Sequence, residues 1–183
     1  MSIVRMLCNK YWTYYFEIKR KFINMRPNIC IGKYTVVERG AVLSTRYGGS
    51  ITIGHHCHIS RSAQILSCGG DIEVGNNSTF NPYSMTYGQG GTRIGNGVRI
   101  ATQAAILPSN HNYSDRSKYI FEQGLSTKGI VIEDDVWIGA GVKVLDGVIL
   151  RKGCIIGSNA VVSKPTEEYG IYVGIPARKI KNR

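Results

Sequence analysis

A period of six constrains this chain more than any other feature. From Ile31, the residues that open successive hexads are Ile31, Val37, Leu43; Ile53, Ile59, Ile65; Val74, Phe80, Thr86; Ile94, Ile100, Ile106; Ile132, Ile138, Val144; and Leu150, Ile156, Val162. Thr86 is the one polar member. The fifth residue of a hexad is usually small, as at Ala41, Cys57, Ala63, Ser78, Ala104, Cys154 and Ala160. A unit this short cannot bury its own apolar side, so copies have to stack into a solenoid. The pattern reads as a triangular coil: three hexads make one turn of 18 residues, the bulky first residue fills the interior, and the small fifth residue fits where the wall bends. Glycine often follows the bulky residue, as in Ile31-Gly32, Val74-Gly75 and Ile156-Gly157, which suits corners that need unusual backbone angles.

Counting three hexads per coil predicts six coils that start at residues 31, 53, 74, 94, 132 and 150. With strands stacked at about 4.8 Å, the prism is about 29 Å tall. Spare residues (49–52, 71–73, 92–93 and 112–131) fall only after the third hexad, so every extra loop leaves at the same corner. Only 112–131 is long, and a loop of that length in a compact domain usually carries function or is disordered.

Three segments follow. Residues 1–28 hold Val4, Leu7, Tyr11, Tyr15, Ile18, Phe22 and Met25 at spacings of three and four, which predicts an amphipathic helix over 2–25. That helix either caps the open first coil or lies on a membrane surface, where Trp12, Tyr14, Phe16, Lys19, Arg20 and Lys21 would suit it. Residues 29–167 form the β-helix domain with its loop, and 168–183 a closing strand and basic tail. The charge of +11 favours an anionic partner such as a phosphorylated cofactor, nucleic acid or an acidic membrane. Nucleic acid is disfavoured because aromatics do not interleave with basic residues along the prism. Five cysteines without C-x-x-C spacing point to a reduced compartment. Charges through the first helix interrupt any signal peptide or membrane span, so the expected location is the cytoplasm, either free or at the inner face of the membrane.

Over about residues 31–180 the chain resembles the bacterial hexapeptide-repeat acyltransferases, in particular sugar and polysaccharide O-acetyltransferases. The resemblance implies a left-handed coil, a homotrimer with sites between subunits, acetyl-CoA as co-substrate, no metal, and a sugar acceptor such as an O-antigen or capsule precursor. The hand comes from the resemblance alone, since parallel crossovers are otherwise right-handed.

Transfer to a hydroxyl needs a base, an oxyanion donor and a slot for the pantetheine arm. His55, His56 and His58 occupy an ordinary stretch of the second coil and read as surface residues. His111 ends the fourth coil at the root of the long loop, in Pro108-Ser109-Asn110-His111-Asn112-Tyr113, a run that resembles the family's catalytic-histidine segment. It is the expected general base, with its ring oriented by a backbone carbonyl or by a carboxylate such as Asp115 or Glu122. Asn81, in Thr79-Phe80-Asn81-Pro82, resembles the family asparagine that contacts the acetyl or acceptor region. Asn81 is eighth and His111 eighteenth in their coils, on different corners, so they can act together only across a subunit boundary. Ala140 and Ser158, 18 residues apart, stack one above the other, both small enough for a narrow groove along the prism to admit pantetheine, and Trp137 can flank it. By resemblance Ser163 and Lys164 lie further along the same groove and Arg178 reaches the nucleotide end. An amine of an amino sugar nucleotide is the alternative acceptor. A zinc carbonic anhydrase of the same architecture would need three convergent imidazoles, and His56 and His58 lie two coils from His111, about 10 Å away.

Overall fold

The computed structural model describes residues 3–183, with side chains from residue 11 onward apart from Thr13. Val4, Leu7 and Cys8 therefore lie outside the described side chains. The chain opens with a helix, α1 (Ile3–Asn24), and continues as a left-handed parallel β-helix of six coils.

Three sheets form the faces of the prism. Sheet A stacks Ile29–Ile31, Ile51–Ile53, Ile72–Val74, Thr92–Ile94, Ile130–Ile132 and Ile149–Leu150. Sheet B stacks Val36–Val37, His58–Ile59, Thr79–Phe80, Arg99–Ile100, Trp137–Ile138 and Ile155–Ile156, and ends in Gly170–Val173 and the antiparallel Arg178–Asn182. Sheet C stacks Val42–Ser44, Gln64–Leu66, Met85–Tyr87, Ala105–Leu107, Lys143–Leu145 and Val161–Val162. The coil starts pair in the predicted register: Ile31 with Ile53, Ile53 with Val74, Val74 with Ile94, Ile94 with Ile132, and Ile132 with Leu150. Most of these interior residues are fully buried. Burying each Ile contributes roughly 1.5–3 kcal/mol relative to leaving it in water, and that burial selects the coil over any other use of a six-residue repeat.

One part of the hexad count needs correction. Residues set aside as spare before the second to fifth coils include wall: Ile51, Ile72, Thr92 and Ile130 are buried and form a column that begins at Ile29. The first five strands of sheet A therefore start two residues ahead of their coil starts, because in an extended strand residues two apart face the same side. Thr92 satisfies its hydroxyl by donating to the Tyr87 carbonyl at 2.7 Å. Thr86 has no such partner: its Oγ1 is buried without a hydrogen bond, as is Ser84 Oγ two residues earlier.

The corner between sheets A and B carries a side-chain ladder. Asn76 Oδ1 accepts from the His55 amide at 2.7 Å, Asn96 Oδ1 from the Asn76 amide at 2.8 Å, and Asp134 Oδ1 from the Asn96 amide at 2.6 Å. Each coil thus holds the turn of the coil below it.

The helix closes the first coil with polar groups instead of its apolar stripe. Lys19 Nζ donates to the carbonyls of Val37 (2.8 Å) and Glu38 (2.9 Å), Arg20 and Asn24 reach Ile31 O, and Arg26 reaches Leu43 O. One edge carbonyl or more of each sheet is capped in this way. Tyr11, Tyr15, Ile18, Phe22 and Met25, the described members of the stripe, are instead exposed. Among the described residues no helix is long and apolar enough to cross a membrane.

Candidate active site

The long insertion leaves the wall after Leu107, at the corner between sheets C and A, and returns at Ile130. Its two arms pair antiparallel, Asn110 opposite Ser126 and His111 opposite Leu125. The Asn112 amide donates to the Gly124 carbonyl at 3.1 Å and extends the pairing. Gln123 staples the tip from inside: its Oε1 accepts from the Asp115 amide at 3.0 Å, and its Nε2 donates to the carbonyls of Asp115 and Lys118. At the root, Asp146 Oδ1 accepts from the amides of Lys128 (2.8 Å) and Gly129 (3.0 Å), and Asn110 Nδ2 donates to its Oδ2 at 3.4 Å. Sequence reasoning missed Asp146. The available signal was the Asp146-Gly147 pair at the same corner one coil later, a turn sequence facing the loop root.

His111 sits on the outgoing arm, exposed, beside a hollow of about 460 Å³ lined by Asn110, Asn112, Tyr113, Ser114 and Ser126. The two carboxylates considered as orienting partners are engaged within the loop. Asp115 binds the Ser117 hydroxyl (2.6 Å) and amide (3.0 Å), which hold it below the usual carboxylate range, with Lys118 adding to the effect. Glu122 accepts from the Tyr119 amide at 2.9 Å.

The other histidines serve structure. His55 Nδ1 accepts from the Lys33 amide at 3.0 Å, His56 stacks on Tyr34 with ring centroids 5.0 Å apart, and His58 Nε2 lies 2.8 Å from Glu38 Oε1. Among the described residues no group of three or more His, Cys, Asp or Glu converges as a metal site. The thiols of Cys57 and Cys154 are buried, and desolvation pushes both upward and away from the reactive thiolate.

The remaining candidates gather on the corner between sheets B and C and at the far end of the prism. Asn81 is exposed at that corner, its amide donating to the Ile100 carbonyl at 2.9 Å. Two coils further along, the Asn159 amide donates to the Ala140 carbonyl at 2.8 Å, which brings Ala140 beneath Ser158. A Cβ at Gly139 would lie 2.7 Å from the Ile156 carbonyl and 2.8 Å from the Ser158 nitrogen, so this close approach of the two corners requires glycine. Trp137 stands 54% exposed on the outer face of sheet B, between Arg99 and Ile155. Ser163 and Lys164 are exposed where sheet C ends. Arg178 opens the last strand, also exposed, and the Ala177 amide before it donates to the Val161 carbonyl at 2.8 Å. Within one chain, then, Asn81, Ala140 and Ser158 share a corner with Trp137 beside it, and His111 stands on another.

A six-coil parallel prism with small residues stacked at one corner and a histidine on its long loop has the architecture of a hexapeptide-repeat protein. Residues 129–164 match the family model described as bacterial transferase hexapeptide (six repeats). The dTDP-4-amino-4,6-dideoxy-D-glucose acyltransferase of Escherichia coli is 30% identical over 142 residues, 73% of this chain and 72% of that protein. A Mycobacterium tuberculosis protein that carries the name of an acetyltransferase is 30% identical over 176 residues; the match takes in 95% of this chain but 57% of that longer relative. In structure, an N-acyltransferase from Bacillus cereus, solved with dTDP and 3-hydroxybutyryl-CoA, shares the fold with a TM-score of 0.76 at 21% identity, over 90% of this chain and 88% of that one. The chain belongs to the bacterial hexapeptide-repeat acyltransferase family.

Proposed function

We propose that the protein is an acetyl-CoA-dependent O-acetyltransferase that acts on a sugar hydroxyl of a surface-polysaccharide precursor, with His111 as general base. The observation that carries this reading is the setting of His111, an exposed imidazole held on a short ladder beside a polar hollow at the root of the only long insertion among the described residues. Imidazole suits the task because it takes a proton near neutral pH. An E. coli K12 protein named for lipopolysaccharide biosynthesis O-acetyl transfer is 28% identical over 144 residues, which supports the choice of acceptor.

In this reading acetyl-CoA lies along the corner groove, its pantetheine arm over Ala140 and Ser158 beside Trp137, and its phosphates toward Ser163, Lys164 and Arg178. His111 takes the proton from the acceptor hydroxyl as the oxygen attacks the thioester carbonyl. The tetrahedral oxyanion is held by Asn81 or a groove amide and collapses to the ester as the C–S bond breaks, and His111 returns its proton to the sulfur so that CoA leaves as the thiol. The transfer is direct, without an acyl-enzyme.

A homotrimer brings the parts together. The outward residues of sheet C include Val42, Leu66, Met85, Tyr87, Leu107 and Leu145, an apolar face unusual for a solvent-facing wall. If three copies turn this face to a common axis, the sheet B–C corner of one subunit meets the sheet C–A corner of the next. Asn81 and the groove then face a neighbour's His111. A location in the cytoplasm, free or at the inner membrane face, fits a CoA-dependent reaction.

N-acylation of an amino sugar nucleotide is the second reading, favoured by the names of the E. coli and B. cereus relatives. An acceptor screen that follows thiol release from acetyl-CoA tests both. The expected product is cleaved by hydroxylamine, as an ester is and an amide is not. His111→Ala should lower the rate by about 10²–10⁴, and a near wild-type rate in that variant would overturn the role of His111.

A further inference from the structure

Helix α1 turns one side to the prism and leaves the other without a partner. At about 100° per residue, Tyr11, Tyr14, Tyr15, Ile18, Phe22 and Met25 fall within an arc of about 100°. Arg20 and Asn24, which hold the Ile31 carbonyl, lie on the far side of the helix. Edge carbonyls of the first coil point along the prism axis, because the wall hydrogen bonds run from coil to coil. The uncovered stripe therefore faces outward along that axis, away from the molecule. It is well exposed, Phe22 at 65% and Met25 at 77%, and Trp12 flanks it against Tyr15.

Charge is concentrated at the same end. Residues 1–50 carry nine Lys and Arg against two Glu, so +7 of the chain's +11 lies there. Both carboxylates are engaged, Glu17 with Arg20 at 2.8 Å, and Glu38 with His58 at 2.8 Å and Arg61 at 3.8 Å. Lys33, Arg39 and Arg46 stand exposed, one at each corner of the first coil, and Lys21 is exposed on the helix. Among the described residues none of these four enters an ion pair. A helix is about 10 Å across, so a surface that touches the stripe lies within about one Debye length of the corner cations.

This chemistry selects the occupant. A second copy docked head to head would bring two strongly basic ends together, and their repulsion opposes the contact. Nucleic acid would meet the cations but offer nothing to Ile18, Phe22 and Met25. An anionic bilayer satisfies both: Trp and Tyr rings sit at the headgroup level, the apolar side chains enter the acyl boundary, and the cations meet lipid phosphates. Since no described helix is apolar enough to cross a membrane, α1 would lie in the surface plane.

We infer that α1 docks the protein on an anionic lipid bilayer, with the prism axis along the membrane normal. One consequence rests on the acyl-transfer reading and its parallel trimer: three such helices share one plane and bind as a trivalent unit. Consecutive coils are about 4.8 Å apart, which places the root of the His111 loop, on the fourth coil, about 14 Å beyond the first coil on the side away from the lipid. An acceptor carried on that membrane must extend at least this far from it to be acylated.

Flotation of the full chain with vesicles of pure phosphatidylcholine, and of phosphatidylcholine mixed with phosphatidylglycerol, tests the surface. Binding at least tenfold tighter to the mixed vesicles is expected, falling steeply as salt is raised. Phe22→Ser with Met25→Ser, and separately Lys21→Gln with Arg39→Gln, should each weaken it at least tenfold. All four positions are exposed, so the circular dichroism spectrum and thermal midpoint should not change. In a Trp137→Phe background, brominated lipid should quench the emission of Trp12. No binding to the mixed vesicles, equal binding to both kinds, or unchanged affinity in either double variant would overturn the assignment. So would a doubling of the oligomer's mass that Phe22→Ser with Met25→Ser abolishes, or tighter binding of a single-stranded oligonucleotide than of vesicles. His111→Ala protein should bind vesicles as the wild type does. Vesicle binding without acyl transfer would therefore sink the enzymatic reading alone, and transfer without vesicle binding would sink the docking surface alone.

Discussion

The carboxylate of Asp146 accepts a hydrogen bond from the Lys128 amide at 2.8 Å, which ties the returning arm of the long loop to the coil above it. The same residue also takes the Gly129 amide and the Asn110 side chain, so both arms of the His111 hairpin converge on one side chain. Asp146→Ala is expected to leave the coil intact and loosen the hairpin. Steady-state kinetics should show kcat down by about tenfold, since small misplacements of a positioned group can cost up to 10²-fold, with little change in KM for acetyl-CoA. Asp146→Asn, which keeps an acceptor oxygen, should recover part of the rate.

The groove assignment predicts a different split. Ala140→Phe adds a ring where Ala140 lies beneath Ser158. It should raise KM for acetyl-CoA at least tenfold while leaving the thermal midpoint within a few degrees. Unchanged KM would place the pantetheine elsewhere.

Thr86 holds an interior position with its hydroxyl unpartnered. Thr86→Val keeps the shape and removes the unsatisfied group, whose burial costs about 1–3 kcal/mol. Denaturant unfolding should show the variant stabilised by about 1 kcal/mol or more, with an unchanged m-value.

Lys19 makes the opposite case. Its ammonium is partly desolvated, which pulls its proton affinity down, yet it serves two edge carbonyls. Lys19→Met should destabilise by about 1–3 kcal/mol, because two acceptors lose their partner. Amide exchange in the first coil should quicken more than in the fifth.

Glu38 carries a pH signature. The His58 side chain, followed by the Arg61 amide, holds its carboxyl below the usual range in the folded state. A carboxyl depressed on folding stabilises the protein above its unfolded pKa, and that contribution is lost as pH falls through the folded value. Glu38→Gln should therefore be less stable than wild type at neutral pH, with the gap closing below about pH 4.

The six coils and their register were legible because one side-chain choice recurs at a fixed interval, and Ile59, Ile100 and Ile138 have only one place to go. What the count missed was short or two-sided. The advance column of Ile51, Ile72 and Ile130 was hidden because a fixed hexad frame assigns those residues to no hexad, although isoleucine two before a coil start was visible. The His111–Leu125 ladder is too brief to leave a periodic trace, and Asp146 acts from a different coil. The helix spacing revealed an apolar stripe but not its direction, which is decided by Lys19, Arg20 and Asn24 finding unpaired edge carbonyls.

The polar cap on the first coil has a further meaning. A parallel β-helix is by construction a template, since each coil offers the next a complete set of donors and acceptors, and an uncovered end would recruit another chain as readily as its own. Lys19, Arg20, Asn24 and Arg26 occupy one end, and the antiparallel strand Arg178–Asn182 turns back on sheet B at the other. Polar capping at one end and a reversed strand over sheet B at the other both oppose the stacking of a further chain on the coil.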